Sequence, residues 1–174
     1  MEVKPSISPL QKPAMMLIYF AHPCFNESQE LFKKEFLRKL RAALDGTGHG
    51  KAITIVDPFV DTPNIEGNRE TKLKLSRLVK DTCIKMLEEC DTVVAMVDDG
   101  DTGVAFETGY AAAAGIPVVL ISRSDCAAAN AMLVGAAKER VNALLTDAQV
   151  TKLARMLEWY YISRKGHGHG SRKS

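Results

Sequence analysis

Four carboxylates stand within ten positions, in the stretch Asp98-Asp99-Gly100-Asp101-Thr102-Gly103-Val104-Ala105-Phe106-Glu107. The last of them, Glu107, begins an otherwise small and apolar run that continues to Gly115. Neighbouring carboxylates push one another's pKa values apart, so that one stays ionised while the other can carry a proton. A nucleophile beside a general acid is what cleavage at an anomeric carbon requires. Asp101 and Glu107 are six residues apart across a loop-to-helix junction, and both can reach one mouth above a sheet. The competing reading makes Glu107 a local capping or pairing group and the aspartates a solvated N-cap cluster. Charge pattern alone leaves both open.

Other chemistries fit the stretch poorly. A phosphate cradle needs Gly-rich backbone donors and a Lys or Arg, whereas this loop is acidic and holds no Lys. Like charges there would repel a phosphate. Neither G-x-G-x-x-G nor G-x-S-x-G occurs. An aspartate cluster could hold Mg²⁺, but the EF-hand order of ligands is missing. Cys24, Cys83, Cys90 and Cys126 form no C-x-x-C pair and no zinc spacing. They are expected to be reduced thiols. His49 sits in the turn Gly46-Thr-Gly-His-Gly50 and is expected to be solvated. Gly166-His-Gly-His-Gly170 reads as a tail rather than a metal site.

The elements that would position the carboxylates follow from periodicity. Thr92–Val97 and Ile116–Ile121 flank the acidic stretch as apolar runs, giving strand, loop, helix and strand with a ligand site at the carboxyl end of the first strand. Ala14–Ala21 is a continuous apolar run suited to a central parallel strand. Asn26-Glu-Ser-Gln29 reads as a capping box, opening a helix with Phe32, Phe36, Leu40 and Ala43 on its apolar side. Ala52–Val56 is a second strand, and Asp57–Asn68 a long loop of functional length.

A helix over Arg69–Glu89 carries Leu75, Val79, Cys83 and Met86 as its core stripe, with Asp81 well off it. A short helix at Asn130–Lys138, a final strand at Val141–Leu145 and a helix capped by Thr146-Asp-Ala-Gln149 complete the order. This pattern predicts a doubly wound, mainly parallel five-stranded α/β sheet flanked by helices, Rossmann- or flavodoxin-like. One catalytic domain over 14–163 is expected, with a disordered leader at 1–13 and a disordered tail at 164–174. A net charge of +2 and few aromatics give no nucleic-acid footprint. No apolar run spans a bilayer, and a cytoplasmic protein with no membrane partner is expected.

Four separated segments resemble the nucleoside 2-deoxyribosyltransferases. Ile18-Tyr-Phe-Ala-His-Pro-Cys-Phe-Asn26 looks like the family's first strand and turn. Asp81 stands in the helix position of a family aspartate. Asp101-Thr-Gly-Val-Ala-Phe-Glu-Thr-Gly-Tyr-Ala111 looks like its D-x-G-x-x-x-E-x-G-x-A signature, and Asn130-Ala-Met132 like its N-x-M segment. The resemblance implies that Glu107 attacks C1′ of a 2′-deoxynucleoside, forming a covalent deoxyribosyl-enzyme that a second nucleobase or water then relieves. Tyr19 would orient Glu107. Asp81 and Asp101 would hold the base, one of them moving a proton to its leaving nitrogen. Phe25 and Gly103 would line the substrate pocket, with Asn130 and Met132 supplied by a neighbouring subunit of a homo-oligomer. No metal or organic cofactor is implied. The turn after the first strand lacks Arg and residue 130 is Asn, which favours an unphosphorylated nucleoside. The alternatives are a deoxynucleoside 5′-monophosphate N-glycosidase or nucleoside hydrolase, and a non-catalytic nucleoside-sensing module.

Overall fold

The computed structural model describes residues 15–63, 65–144 and 146–166. The expected leader at 1–13 lies outside them, as does the tail from 167 onward. Five strands, β1 (Met16–Ala21), β2 (Ile53–Val56), β3 (Thr92–Met96), β4 (Val118–Ile121) and β5 (Glu139–Val141), form one sheet. The strand order is β2-β1-β3-β4-β5 and every pairing is parallel. The order reverses between β1 and β3, and the loops leaving their carboxyl ends bound the crevice where doubly wound sheets take ligands.

Side-chain alternation along the strands divides the interior into two layers. Met16, Ile18 and Phe20 of β1 join Val94, Met96, Val119 and Ile121 in a core covered by α1 (Glu27–Asp45) and α6 (Asp147–Gly166). The intervening residues Tyr19, Ala21, Val93, Ala95, Val118 and Leu120 face α3 (Arg69–Glu89) and α4 (Thr102–Ala113). Strands buried on both faces must be apolar at every position, which is why the three central runs were readable without alternation.

The helix starts at Asn26 and Thr146 are capped as their sequences predict, and Asn68 adds a third cap. Asn26 accepts a hydrogen bond from the Gln29 amide at 3.0 Å, and Gln29 Oε1 reaches back to the Phe25 amide at 2.7 Å. Asn68 caps α3 through Thr71 N, and Thr146 caps α6 through Gln149 N. Gly100 and Gly115 take positive φ on either side of α4, the first in the turn from β3 and the second just past the helix end. No helix among the described residues is long and apolar enough to cross a membrane.

Five expectations are corrected. The final strand lies at Glu139–Val141, earlier than the apolar run Val141–Leu145. Ala143 has φ 53°, and its amide and that of Leu144 bond to Ser124 and Ser122, so the chain turns there instead of extending. As an edge strand, β5 keeps two exposed charged residues and needs only Val141 inside. The expected tail at 164–174 begins too early: α6 continues to Gly166, its last turn held by Arg164 pairing with Asp91 and donating to Met15 O. The Asp57–Asn68 loop contains a short helix, α2 (Pro58–Asp61), capped by Asp57. The helix expected at 130–138 is α5, Ala131–Ala136, with Asn130 as its cap. His49 is not simply solvated, because its Nδ1 lies 3.0 Å from Glu158.

Candidate active site

Glu107 lies on the second turn of α4, on the side turned toward β1 and α3. Tyr19, fully buried in the middle of β1, donates its hydroxyl to Glu107 Oε1 at 2.5 Å. The Cys83 thiol, from α3, lies close enough to both groups to perturb them. Three elements remote in sequence thus converge on one carboxylate. Burial pushes Glu107 up to about 7, a rise moderated by the Tyr19 bond, reinforced by the charge of Asp101 and moderated again by Cys83. Burial, then the Glu107 charge, drives the Tyr19 hydroxyl far above its ordinary range, so it remains a donor. Glu107 is therefore poised to exchange its proton near neutrality while locked in orientation.

Above this pair opens a cavity of about 440 Å³. Its floor includes Glu107, Asp101 and Cys83, and its walls include Phe25, Pro58, Phe59 and Val79. The volume suits a bound ligand of nucleoside size, and the mainly apolar lining with a few converging polar groups is that of a small-molecule site. One wall is fixed by a buried polar relay. His22 places Nε2 3.1 Å from Asp57 Oδ1, and Lys33 Nζ lies 3.1 Å from Asp57 Oδ2. Burial raises the Asp57 pKa, but the bonds from His22 and Lys33 outweigh it and hold the group at about 2. Because Asp57 also accepts from Phe59 N, the relay seats α2 and the Phe59 ring, which packs against His22 and Phe25.

The three loop aspartates divide into different tasks. Asp98 accepts from Ser122 Oγ and twice from Arg123 N, tying the β3–α4 loop to the end of β4. Asp99 accepts from Arg123 and Gln29. These two brace the scaffold, so the loop's acidity is largely neutralised there. Asp101 caps α4 by accepting from Val104 N at 2.8 Å and, of the three, is the one lining the Glu107 cavity.

Among the sequence-predicted residues, Tyr19, Phe25, Asp101, Gly103 and Glu107 are brought together. Asp81 is not. Its side chain is 57 % exposed beside Lys80, and it does not line the cavity. At about 100° per residue, two positions from Val79 and from Cys83 turn it to the opposite side of α3. Asn130 and Met132 also lie elsewhere, on a second cavity across α4 that shares Asp101 with the first. Asn130 caps α5 through Met132 N, and Met132 is 82 % exposed. Cys83, His22 and Asp57 were not singled out from sequence. A thiol on an apolar stripe looks like core, and the His22–Asp57 bond joins residues 35 positions apart.

The fold has counterparts among solved structures. A conserved protein from Enterococcus faecalis V583 superimposes with a TM-score of 0.62 at 23% identity, covering 83% of this chain and 99% of that one. The 2-deoxyribosyltransferase of Bacillus psychrosaccharolyticus superimposes with a TM-score of 0.55 at 23% identity, covering 74% of this chain and 87% of the other. A CMP N-glycosidase of Clostridium botulinum reaches 0.48 at 15% identity, too distant a likeness to bear on this chain. At these identities the agreement concerns fold. No curated protein sequence matches the chain. The model of the family described as nucleoside 2-deoxyribosyltransferase matches residues 18–152, a span running from β1 into α6 and containing Tyr19, Asp101 and Glu107. With that span covering most of its length, the chain belongs to the nucleoside 2-deoxyribosyltransferase family.

Proposed function

We propose that the protein transfers a 2-deoxyribosyl group between nucleobases through a covalent ester on Glu107. The observation carrying this reading is the buried Tyr19–Glu107 pair under a cavity of nucleoside size at the β1/β3 switch point. In the first half-reaction a Glu107 oxygen attacks C1′, the C1′–N bond breaks, and its electron pair leaves on the base nitrogen, which takes up a proton. Asp101, across the same cavity, is placed to pass that proton. In the second half-reaction a nitrogen of an incoming base attacks C1′, the ester C–O bond returns its electrons to the carboxylate, and the base releases a proton. Two inversions give net retention. Tyr19 holds the nucleophile in line, and its hydrogen bond favours the ionised form that attacks. A 2′-deoxy sugar lacks the electron-withdrawing hydroxyl that would resist positive charge at C1′, and the carboxylate stabilises that charge.

Within one chain Asn130 and Met132 line the cavity beyond α4 and not the one over Glu107. The reading has those two residues come from a second copy, making the active form a homo-oligomer. Incubation with thymidine and adenine tests the activity. Formation of deoxyadenosine is the expected result, free thymine without a new nucleoside would indicate hydrolysis, and no change with any deoxynucleoside or deoxynucleotide would refute both enzymatic readings. Sedimentation showing a fully active monomer would refute the shared site.

A further inference from the structure

Two walls of the cavity come from different elements and share one buried ring. Phe25 belongs to the turn that follows β1 and Phe59 to α2, and their rings meet edge to face with centroids 5.8 Å apart. His22, whose side chain is 1 % exposed, touches both segments. Its Nδ1 sits 3.1 Å from Pro23 O, in the Phe25 turn, and its Nε2 3.1 Å from Asp57 Oδ1, at the cap of α2. The ring stacks on Phe20 at 4.3 Å and packs against Phe59 at 5.1 Å, which holds its plane. Carbonyl and carboxylate are acceptors only, so the doubly protonated imidazolium satisfies both. A neutral ring, in either tautomer, sets one nitrogen lone pair against an oxygen lone pair and releases either the Pro23 turn or Asp57.

The charged and titratable groups around the ring come from several elements. On α2, burial raises Asp57, but the bonds from His22 and Lys33 outweigh it and hold the carboxylate at about 2. On α1, burial draws Lys33 down, but its bond to Asp57 outweighs that and keeps it a cation. In a small pocket lined by His22 and Lys33, Asp99 and Arg123 pair with each other at 3.1 Å. Cys24, Cys83, Asp101 and Glu107 line the main cavity with His22. Burial pushes the Cys83 thiol up and takes Glu107 to about 7. We propose that His22 is a positioning residue for the nucleoside: doubly protonated, it clamps the Phe25 and Phe59 walls together, and loss of one proton loosens them and weakens binding. Histidine is the side chain suited to change charge in the physiological range. Affinity is then governed by a group separate from the nucleophile and of opposite sense, since raising pH ionises Glu107 for attack while it opens the clamp. The proposal rests on the nucleoside reading of the site given above.

The test removes the other titrating groups of the cavity that stand closest to the effect. The Kd of deoxyadenosine is measured by calorimetry on the full-length chain carrying Glu107→Gln and Cys24→Ser, from about pH 5 to about 8.5, the interval in which a histidine changes charge. The expected result is binding about 10-fold weaker at the upper end, the effect of one charge-assisted hydrogen bond. Adding His22→Gln, whose amide keeps a donor toward Asp57 at every pH, should make Kd independent of pH. By reciprocity, saturating deoxyadenosine should move the titration of the His22 ring, followed by NMR, to higher pH. In the ligand-free protein the Phe25 and Phe59 amide signals should shift together with that ring, an observation that needs no His22 variant. A Kd that does not weaken with pH overturns the proposal. So does a pH dependence that survives His22→Gln, or Phe25 and Phe59 amides that stay put while the ring titrates. Absence of binding at every pH, together with absence of turnover of any deoxynucleoside by the unaltered protein, refutes the nucleoside reading itself, and the amide titration then still decides the clamp.

Discussion

Replacing Glu107 by Gln should abolish activity and yet make the protein more stable above neutral pH. The Glu107 carboxyl is raised from 4.5 to about 7, chiefly by burial. A folded state that raises a carboxyl pKa holds the proton more tightly than the unfolded chain does. The stabilisation this gives is fully present below about pH 4.5 and is lost as pH rises through about 7. At about 1.4 kcal/mol per pH unit, ionising Glu107 in place costs up to about 3 kcal/mol of stability by pH 8. Gln is the same size, accepts the Tyr19 hydroxyl through its amide oxygen, and carries no charge to desolvate. The expected outcome is a higher urea midpoint for Glu107→Gln at pH 8, by about 1–2 M for a domain of this size. At pH 4 the two proteins should unfold together. Turnover should fall by at least about 10³-fold throughout, as expected for loss of a covalent nucleophile. Equal midpoint differences at pH 4 and pH 8, or a variant less stable at pH 8, would refute the claim that the scaffold carries the cost of an ionised Glu107.

The pH dependence of turnover should show the same group: kcat/KM is expected to rise through an acid limb near pH 7 as Glu107 ionises, measured with any accepted deoxynucleoside. In Tyr19→Phe that limb should move to higher pH, because the hydroxyl bond is what lowers the Glu107 value; an unmoved limb would separate Tyr19 from the nucleophile. Asp57, held at about 2 by His22 and Lys33, contributes stability that is present above about pH 4 and lost as pH falls through 2. Asp57→Asn should therefore cost about 2 kcal/mol at pH 7 in urea unfolding. It should also raise KM more than it lowers kcat, since the wall of α2 and Phe59 loses its anchor while Glu107 is untouched; a kcat effect alone would contradict that wall's role in binding.

The fold was legible because its central strands are buried on both faces, and that constraint writes itself into consecutive residues such as Met16–Ala21 and Val118–Ile121. The caps at Asn26 and Thr146 are local too, each bond spanning three residues. The edge strand β5 was misplaced because an edge needs little apolar sequence, while the run after it turned out to be a packed turn. Glu107 and Asp101 were visible since both lie on one short loop and helix start. Tyr19 and Phe25 entered only through the family resemblance, since Tyr19 lies 88 positions from Glu107, and His22, Asp57 and Cys83 were not visible, being joined across the sheet, as His22 is to Asp57 over 35 positions. Asp81 shows the opposite failure. Its type and position invite a role, but helical geometry assigns the cavity side of α3 to Val79 and Cys83.

That assignment has a mechanistic consequence. With Asp81 turned outward, Cys83 occupies the α3 side of the nucleophile, and a thiol is a weak hydrogen-bond donor with little charge to lend. Tyr19 and Cys83 lower the Glu107 value against the burial and the Asp101 charge that raise it. A strongly paired carboxylate would stay ionised at lower pH but would be a poorer nucleophile and a better leaving group only at the expense of the ester it forms. In the proposed transfer, a Glu107 held near 7 is basic enough to bond to C1′ and acidic enough to be displaced again by an incoming base. Burial between α4 and β1 raises that value and the single hydroxyl from β1 draws it back, so the close packing of α4 against the sheet is itself what tunes the carboxylate.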